Sequence, residues 1–333
     1  MSFHVAIVGA TGAVGQEFLT ILAERKFPIK SLRLLASSRS AGKKVEFQGQ
    51  TLTVQELTKE SFSGVQFAFF SAGGSISKEF APAAVAAKAV VIDNTSAFRM
   101  KDGIPLVVPE VNAEQIHKHN GLIANPNCST IIMNVPVWPL HKVNRVKRMV
   151  VSTYQAVSGA GAWGLYELEN QIKAYAAGAT VAREKFPHQI VNNLFSHNTK
   201  IADNGYNEEE NKMVNETRKI FGDPKIMITA TCIRVPVPRA HSEAINLEFE
   251  RPITPEQARQ ILKIAPGIRV VDDRETNHFP MPLEASGQDD VLVGRIRQDI
   301  SRDDGRGIDL FVSGDQVRKG AATNAVQIAE RMI

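Results

Sequence analysis

The chain has 333 residues, enough for two domains, and its 43% hydrophobic and 22% charged content is typical of an ordinary globular protein. The net charge is only +4 and the basic residues are scattered, so we expect no nucleic-acid partner. The absence of a long apolar run and of a targeting pattern predicts no membrane association. Cys128 and Cys232 are too few for a disulfide framework and form no short-spaced metal pair, which favours a metal-free protein in a reducing, cytoplasmic compartment.

Short apolar segments alternate with helical patterns through the first third of the chain. The segments cover residues 3–8, 32–36, 66–70, 90–92, 106–108 and 122–124. This alternation predicts an α/β domain with a parallel sheet and crossover helices.

Longer β-rich segments follow after residue 146, at 147–157, 226–235, 244–250, 291–296 and 308–313. They predict a second domain built on one antiparallel sheet. Helices are expected at 165–177, at 208–220 with Asn207 as N-cap, and at 316–332. In the first of these, the helical period places four apolar residues on one face: Leu165, Leu168, Ile172 and Tyr175.

A glycine-rich turn follows the first predicted strand and opens a helix. It reads Gly-Ala-Thr-Gly-Ala-Val-Gly from residue 9 to residue 15. Glycines here permit a tight turn and a close approach of backbone N–H groups to phosphate, although an ordinary strand-to-helix turn is the alternative. The strand–turn–helix context predicts a dinucleotide site with contacts from Gly9, Thr11, Gly12, Ala13 and Val14.

The loop after the second predicted strand reads Ser-Ser-Arg-Ser-Ala-Gly-Lys from residue 37 to residue 43. An NAD site normally has Asp or Glu at this position for the ribose hydroxyls, whereas hydroxyls and a guanidinium suit a 2′-phosphate. The loop therefore predicts NADP, held by Ser37, Arg39 and Ser40. A further small-residue loop at the carboxyl edge of the sheet is also expected to pass close to the cofactor, through Ser71, Ala72 and Gly73.

The segment Asn-Pro-Asn-Cys-Ser-Thr, residues 125–130, precedes an apolar run and predicts a helix that starts near Cys128. The positive end of a helix and its unpaired N–H groups favour the thiolate, which is the nucleophilic form of cysteine. In a chain with a dinucleotide site, this arrangement predicts covalent catalysis on a carbonyl. From these residues alone, a small buried apolar side chain is the alternative.

Motifs along nearly the whole chain resemble the aspartate-β-semialdehyde dehydrogenase family. Besides the segments above, they are Ser-Ala-Phe-Arg-Met at 96–100, Val-Val-Pro-Glu-Val-Asn at 107–112, Tyr-Gln-Ala-Val-Ser-Gly-Ala-Gly at 154–161, Arg234 with His241, and Asn-Ala-Val-Gln-Ile-Ala-Glu at 324–330. The resemblance implies a Rossmann-type NADP-binding domain at 1–127, completed by a helix at 316–333. It also implies an α+β catalytic and dimerisation domain at 128–315 with a mainly antiparallel sheet, in a homodimer or a dimer of dimers.

The resemblance implies NADPH-dependent reduction of β-aspartyl phosphate to aspartate semialdehyde, on the route to lysine, threonine and methionine. Cys128 would attack the acyl carbon and form a thioester as phosphate leaves. His241 would be the general acid/base and Gln155 would orient the intermediate.

The resemblance also implies the remaining contacts. Arg234 would bind the substrate carboxylate through its planar fork, and Arg99 would bind phosphate. Further substrate contacts are expected from Asn94, Asn127, Glu209 and Lys212, although an exposed ion pair is the alternative for the last two. Further cofactor contacts are expected from Ser158, Gly159, Gly161 and Asn324.

Two other functions compete with this interpretation. N-acetyl-γ-glutamyl-phosphate reductase uses the same chemistry on a longer acylated substrate, but the segments at 38–43 and 154–161 argue against it. An inactive regulatory paralogue would not need the combination of Cys128, Gln155, Arg234 and His241.

Overall fold

The computed structural model describes residues 2–333 and divides into two compact units. The first unit contains the chain up to Asn127 together with Gly320–Ile333, and the second contains Cys128–Lys319.

The first unit is built around a six-stranded parallel sheet and a separate hairpin. Its strands are β1 Phe3–Val8, β2 Ile29–Ala36, β3 Lys44–Phe47, β4 Gln50–Thr53, β5 Gln55–Glu56, β6 Phe67–Phe70, β7 Val90–Asp93 and β8 Leu122–Ala124. The sheet order is β5-β2-β1-β6-β7-β8, with β3 and β4 paired separately. All the sheet pairs are parallel, which confirms the predicted Rossmann-like sheet.

One predicted strand of this sheet does not form. Residues 106–108 make only a single bridge, between Leu106 and Ala124. Pro105 and Pro109 flank the segment, and a proline cannot donate a backbone hydrogen bond to a ladder. The segment therefore runs beside β8 without becoming a full strand.

Three helices of the first unit are α1 Ala13–Glu24, α2 Gly74–Ala86 and the short α3 Pro109–Asn112. Helix α1 buries Phe18, Ile21 and Leu22 completely, and the Phe18 ring lies 4.9 Å from that of Phe69 on β6. Each such side chain contributes about 1.5–3 kcal/mol by leaving water. This packing fixes the start of α1, and hence the glycine-rich turn, against the sheet.

The second unit contains helices and a seven-stranded sheet in the chain order α4 Cys128–Val143, β9 Val146–Gln155, α5 Ala162–Ala176, β10 Phe195–Ser196, α6 Glu208–Phe221, β11 Met227–Arg234, β12 His241–Phe249, α7 Pro255–Lys263, β13 Ile268–Val270, α8 Pro282–Ala285, β14 Val291–Gln298 and β15 Gly307–Gly314. The sheet order is β10-β11-β9-β12-β15-β14-β13. Strand β12 pairs antiparallel with both of its neighbours.

This second sheet is mainly antiparallel, which confirms the predicted architecture, but it also contains two parallel pairs. Strands β11 and β9 are parallel, as are β13 and β14, while the other neighbours are antiparallel. The connection from β9 to β11 contains α5 and α6, and a long crossover of this kind returns the chain in the same direction.

The predicted apolar face of α5 is only partly buried. Leu168 is buried, but Ile172 is 47% exposed and Tyr175 is 57% exposed. The inner face carries Glu167 and Gln171 instead, whose side chains accept hydrogen bonds from backbone N–H groups of residues 184–186 and 190–191. A covered loop without its own secondary structure needs such partners, which explains the polar inner face.

The last helix, α9 Thr323–Glu330, belongs to the first unit and follows a π-helical turn at Arg318–Ala322. It is shorter than the predicted helix at 316–332. Its buried side chains include Ala325 and Ile328, and Glu330 forms a 2.6 Å ion pair with Arg25 after α1. No helix within residues 2–333 has the length and apolar character needed to cross a membrane.

Candidate active site

Helix α4 begins at Cys128, as the sequence predicts, and the cysteine is partly exposed. Its sulfur lies 3.6 Å from Nε2 of His241, the first residue of β12. Asn127, immediately before the cysteine, is buried. A helix start and a strand start therefore bring a thiol and an imidazole into hydrogen-bond range, which is the geometry of an activated nucleophile.

The other ring nitrogen of His241 is held by the backbone. Nδ1 accepts a hydrogen bond of 3.0 Å from the N–H of Ala156, so we assign the proton of the neutral ring to Nε2, facing Cys128. Burial lowers the pKa of His241 well below its usual value, and the nearby Arg234 lowers it further. The ring is therefore neutral at physiological pH and points an N–H group at the sulfur.

Arg234 ends β11 and is paired in register with Gln155, which ends β9. It is only 2% exposed, and its Nη1 donates a 2.7 Å hydrogen bond to the carbonyl of Ala156. Burial lowers the pKa of Arg234, and Glu209 opposes this effect. Its buried Nε has no hydrogen-bond partner within residues 2–333, so a cationic donor is available to an acidic ligand.

Gln155, Glu209 and Lys212 form a connected polar group. Gln155 Nε2 donates to Glu209 Oε1 at 3.2 Å, and Lys212 Nζ lies 3.1 Å from Glu209 Oε2. Asn207 caps α6 as predicted, and its capping box uses Glu210, which leaves Glu209 to face Gln155. The Glu209 side chain is 6% exposed, so the alternative of an exposed surface ion pair is wrong for this residue.

The 3₁₀ turn Val157–Ala160 lies against the side chains of Arg234 and His241. A Cβ atom on Gly159 would be 3.2 Å from both Arg234 Nη1 and His241 Cε1, so only glycine fits without displacement. Nearby, Gly161 adopts a φ of 87°, with open space where a side chain would be. Ser158, which precedes Gly159, is buried.

Two residues of this site were not predicted from the sequence. Gln316 accepts a 2.8 Å hydrogen bond from the N–H of Ala240, whose φ of 70° is unusual for a non-glycine residue, and it also donates to Ser158 Oγ. His197 lies 2.8 Å from Arg234, between its Nε2 and the guanidinium Nη2. Both residues lie in segments that follow a strand, β15 for Gln316 and β10 for His197, where spacing gives no signal of their partners.

A second polar cluster lies within the first unit and contains predicted residues from three separate segments. Arg99 donates to the carbonyls of Asn125 at 2.9 Å and Asn94 at 2.7 Å. The Asn125 amide joins Asn94 at 2.6 Å, and Asn324 donates to Asn125 at 2.6 Å and to the Val107 carbonyl at 2.9 Å. The structure thus brings Asn94, Arg99 and Asn324 together.

The glycine-rich turn has the close packing expected of a phosphate cradle. Gly9 adopts a φ of 88°, and a Cβ there would be 3.0 Å from the backbone of Ser71 and Ala72. A Cβ on Gly15 would be 2.2 Å from the Gly9 carbonyl. Gly12 is the N-cap of α1 without a side-chain cap, so the N–H groups that begin this helix suit an anion.

The loop after β2 lies beside this turn. Ser37 precedes a 3₁₀ turn at Ser38–Ser40, and Thr11 Oγ1 lies 3.5 Å from Ser40 Oγ. Arg39 is exposed, and the segment from Ser37 to Lys43 contains no carboxylate. These donors fit a nicotinamide dinucleotide with a phosphorylated ribose. Within residues 2–333, no group of three or more His, Cys, Asp or Glu side chains could hold a metal ion.

Two family models match the chain. The semialdehyde dehydrogenase NAD-binding domain matches residues 4–119, and the semialdehyde dehydrogenase dimerisation domain matches residues 137–319. The matches cover the glycine-rich turn in the first case and Gln155, Arg234 and His241 in the second.

Named relatives agree with these models. An aspartate-semialdehyde dehydrogenase of Synechocystis is 55% identical over 99% of this chain and 97% of its own length. The solved structure of Vibrio cholerae aspartate semialdehyde dehydrogenase II complexed with ASA has a TM-score of 0.97 and 48% identity, covering 100% of this chain and 98% of the other.

A more distant solved structure, the aspartate semialdehyde dehydrogenase of Candida albicans with NADP, has a TM-score of 0.77 and 26% identity over 100% of this chain and 98% of the other. The family models, the full-length identity and the cysteine–histidine geometry lead to the same result, and the chain belongs to the aspartate-semialdehyde dehydrogenase family.

Proposed function

We propose that the chain is an NADP-dependent, phosphorylating aspartate-semialdehyde dehydrogenase, which reduces β-aspartyl phosphate to aspartate semialdehyde. The observation that carries the proposal is Cys128 at the start of α4, 3.6 Å from the buried, neutral His241. The relatives named for this activity support it over the glutamyl-phosphate enzyme and over an inactive paralogue. Its product serves lysine, threonine and methionine biosynthesis.

In this reaction the sulfur of Cys128 attacks the acyl carbon, the bond to phosphate breaks, and a thioester forms. A bound reduced nicotinamide supplies the hydride. Cys128 enters and leaves as the thiolate, and the Nε2–H of His241, the proposed general acid/base, lies where it can donate a hydrogen bond to the sulfur and to the tetrahedral oxyanion. Gln155, held by Glu209, orients the acyl group beside the cysteine.

The charge and burial of each side chain indicate which group of the substrate it would bind. Arg234 would bind the carboxylate, because its unpartnered Nε–H lies in a desolvated setting where a charge-assisted hydrogen bond is strong. Glu209 and Lys212 would hold the substrate amine and phosphate. Arg99, with Asn94 and Asn127, would complete the phosphate contacts.

For the cofactor we propose NADP. Gly9, Thr11, Gly12, Ala13 and Val14 would hold the pyrophosphate at the start of α1, and the loop with Ser37, Arg39 and Ser40 would hold the 2′-phosphate. The NADP named in the Candida albicans structure supports this choice. The other contacts proposed are Ser71, Ala72, Gly73, Ser158, Gly159, Gly161 and Asn324.

We also propose that residues 1–127 and 316–333 bind NADP and that residues 128–315 form the catalytic and dimerisation domain. The match to a dimerisation domain supports self-association, and a homodimer or dimer of dimers is the proposed form. A cytoplasmic location is supported by the two free cysteines.

The test is reduction of NADP by aspartate semialdehyde in the presence and absence of phosphate, with wild type and Cys128→Ser side by side. Phosphate-dependent activity in the wild type alone would support the reaction and the nucleophile together. Activity on the N-acetyl-γ-glutamyl substrate instead would select the alternative enzyme. Inactivity on both substrates in a folded, NADP-binding protein would favour the regulatory paralogue.

A further inference from the structure

A histidine outside the predicted site set lies directly against Arg234. His197 follows β10, whose Phe195 is paired in register with Arg234. The Nη2 of Arg234 lies 2.8 Å from Nε2 of His197. A guanidinium has only donors, so Nε2 must be the acceptor and the neutral imidazole must carry its proton on Nδ1.

The Nδ1 side of the ring also has a partner. Nδ1 lies 3.2 Å from Thr199 Oγ1, and this hydroxyl oxygen accepts a 3.2 Å hydrogen bond from the backbone N–H of Glu209. A chain of hydrogen bonds therefore runs from the guanidinium through the imidazole and the hydroxyl to the first turn of α6. The donor on Arg234 and the hydroxyl oxygen of Thr199 lie on opposite sides of the ring, and together they favour one tautomer and one ring orientation of His197.

The surroundings keep the His197 imidazole neutral, so that its Nε2 can accept a hydrogen bond. Burial, helped by the charges of Arg234 and Lys212 and opposed by that of Glu209, lowers the pKa of His197 to about 4. A protonated ring would place two donors against each other. At neutral pH the imidazole is therefore a stable acceptor for the arginine.

The guanidinium of Arg234 thus has two anchors. Nη1 donates to the Ala156 carbonyl and Nη2 donates to His197, while the buried Nε has no partner within residues 2–333. Two acceptors at different nitrogens define the plane of a rigid guanidinium. That plane decides the direction of the remaining N–H groups.

We propose that His197 is a positioning residue that sets the plane of the Arg234 guanidinium for the carboxylate of the substrate. The inference rests on the proposed function, in which Arg234 binds that carboxylate. In this role His197 acts through its hydrogen bond to the Arg234 guanidinium. Loss of its acceptor should weaken substrate binding and leave the cofactor site in the first unit unaffected.

The test compares His197→Gln with His197→Asn. The glutamine oxygen can reach the position of Nε2 and accept from Arg234, but it cannot replace the contact to Thr199. Asparagine can replace the Thr199 contact at the position of Nδ1, but it is too short to reach Arg234. The pair therefore separates orientation of the arginine from simple support of the loop.

For aspartate semialdehyde we expect KM to rise roughly tenfold in the asparagine variant and only about threefold in the glutamine variant, because a hydrogen bond to a charged group is lost only in the former. The KM for NADP and the thermal midpoint should be similar in the two variants. Equal KM values for aspartate semialdehyde, or the reverse order, would overturn the positioning role. If the wild type is inactive with aspartate semialdehyde, both the proposed function and this inference are wrong. If the wild type is active but the two variants do not differ as expected, only the inference is wrong.

Discussion

The sulfur of Cys128 and Nε2 of His241 lie 3.6 Å apart although 113 positions separate the two residues in the chain. The cysteine begins α4 and the histidine begins β12, so two element starts meet. The N–H of Ala156 occupies Nδ1 of the histidine and leaves the ring proton on Nε2. The imidazole is therefore prepared to stabilise a thiolate without becoming an imidazolium.

Replacing Cys128 by Ser should remove nearly all turnover and preserve NADPH binding. A serine hydroxyl is a far weaker nucleophile and leaving group than a thiolate, so a loss of roughly a thousandfold or more is expected. Steady-state kinetics and NADPH fluorescence titration measure the two properties. A variant that fails to fold would show instead that the thiol is needed for packing at the start of α4.

Replacing Arg234 by Lys should raise KM for aspartate semialdehyde more than tenfold. An ammonium group cannot reach the Ala156 carbonyl, His197 and a carboxylate at the same time, as the planar guanidinium can. Kinetics with aspartate semialdehyde varied at saturating NADP measure the effect. Unchanged kinetics would show that a different cationic side chain binds the substrate carboxylate.

Replacing Gly159 by Ala should lower kcat/KM roughly tenfold or more, because the new methyl would lie 3.2 Å from Arg234 Nη1 and His241 Cε1. The backbone at Gly159 is not left-handed, so the methyl group itself carries the effect. Kinetics together with a thermal midpoint separate damage to the site from loss of stability. If the variant has wild-type kinetics, Arg234 and His241 can move away from the methyl group without loss of activity.

Replacing Arg39 by Ala should weaken NADPH binding much more than NADH binding, since only NADPH carries the 2′-phosphate. The loss of one charge-assisted contact predicts an effect of roughly tenfold or more on the dissociation constant for NADPH. Lys43→Ala is the matched control, because it removes the same charge from the same loop. Equal weakening of both cofactors by Arg39→Ala would remove the 2′-phosphate role.

Glu243 on β12 should make the protein less stable as the pH rises. The side chain is fully buried, both carboxylate oxygens lack partners within residues 2–333, and burial raises the pKa of Glu243 well above 4.5. The folded state therefore keeps a proton that the unfolded state releases. The stabilising contribution is fully present below about pH 4.5 and is lost progressively as the pH rises toward the folded pKa.

Urea unfolding of wild type and Glu243→Gln between pH 4.5 and 9 measures this linkage, since glutamine is isosteric and does not titrate. The variant should gain stability relative to wild type as the pH increases, by up to about 1.4 kcal/mol per pH unit. All other titrating groups are common to both proteins. Parallel stability curves would show that the carboxyl is ionised or water-paired in the folded protein.

Local patterns predicted much of the fold. The glycine-rich turn, the strands β1 and β8 and the start of α4 agree with the pattern of apolar residues and helix-start signals, because short-range sterics and hydrogen bonding determine them. Asn207 caps α6 as predicted, and Glu210 completes a capping box with it. The helix-start pattern supplied Cys128 as a candidate, and the resemblance to the family added Gln155, Arg234 and His241.

Other features depended on tertiary contacts. The apolar stripe of α5 is largely exposed because Glu167 and Gln171 face a loop that needs hydrogen-bond acceptors. Three consecutive glutamates, Glu208, Glu209 and Glu210, begin α6, and the sequence does not show which of them faces the site. Glu210 is used by the cap of α6, and Glu209 is the one that contacts Gln155.

The sequence by itself determined which elements form and which chemical groups are available: a glycine turn for phosphate, a basic loop, and a cysteine at a helix start. Only the tertiary structure decided the tautomer of His241, the two anchors of Arg234 and the protonation of Glu243. These properties arise because packing removes the groups from water and brings parts distant in the chain together. Local patterns do not encode such proximity, since the partner of a buried polar group is chosen by packing.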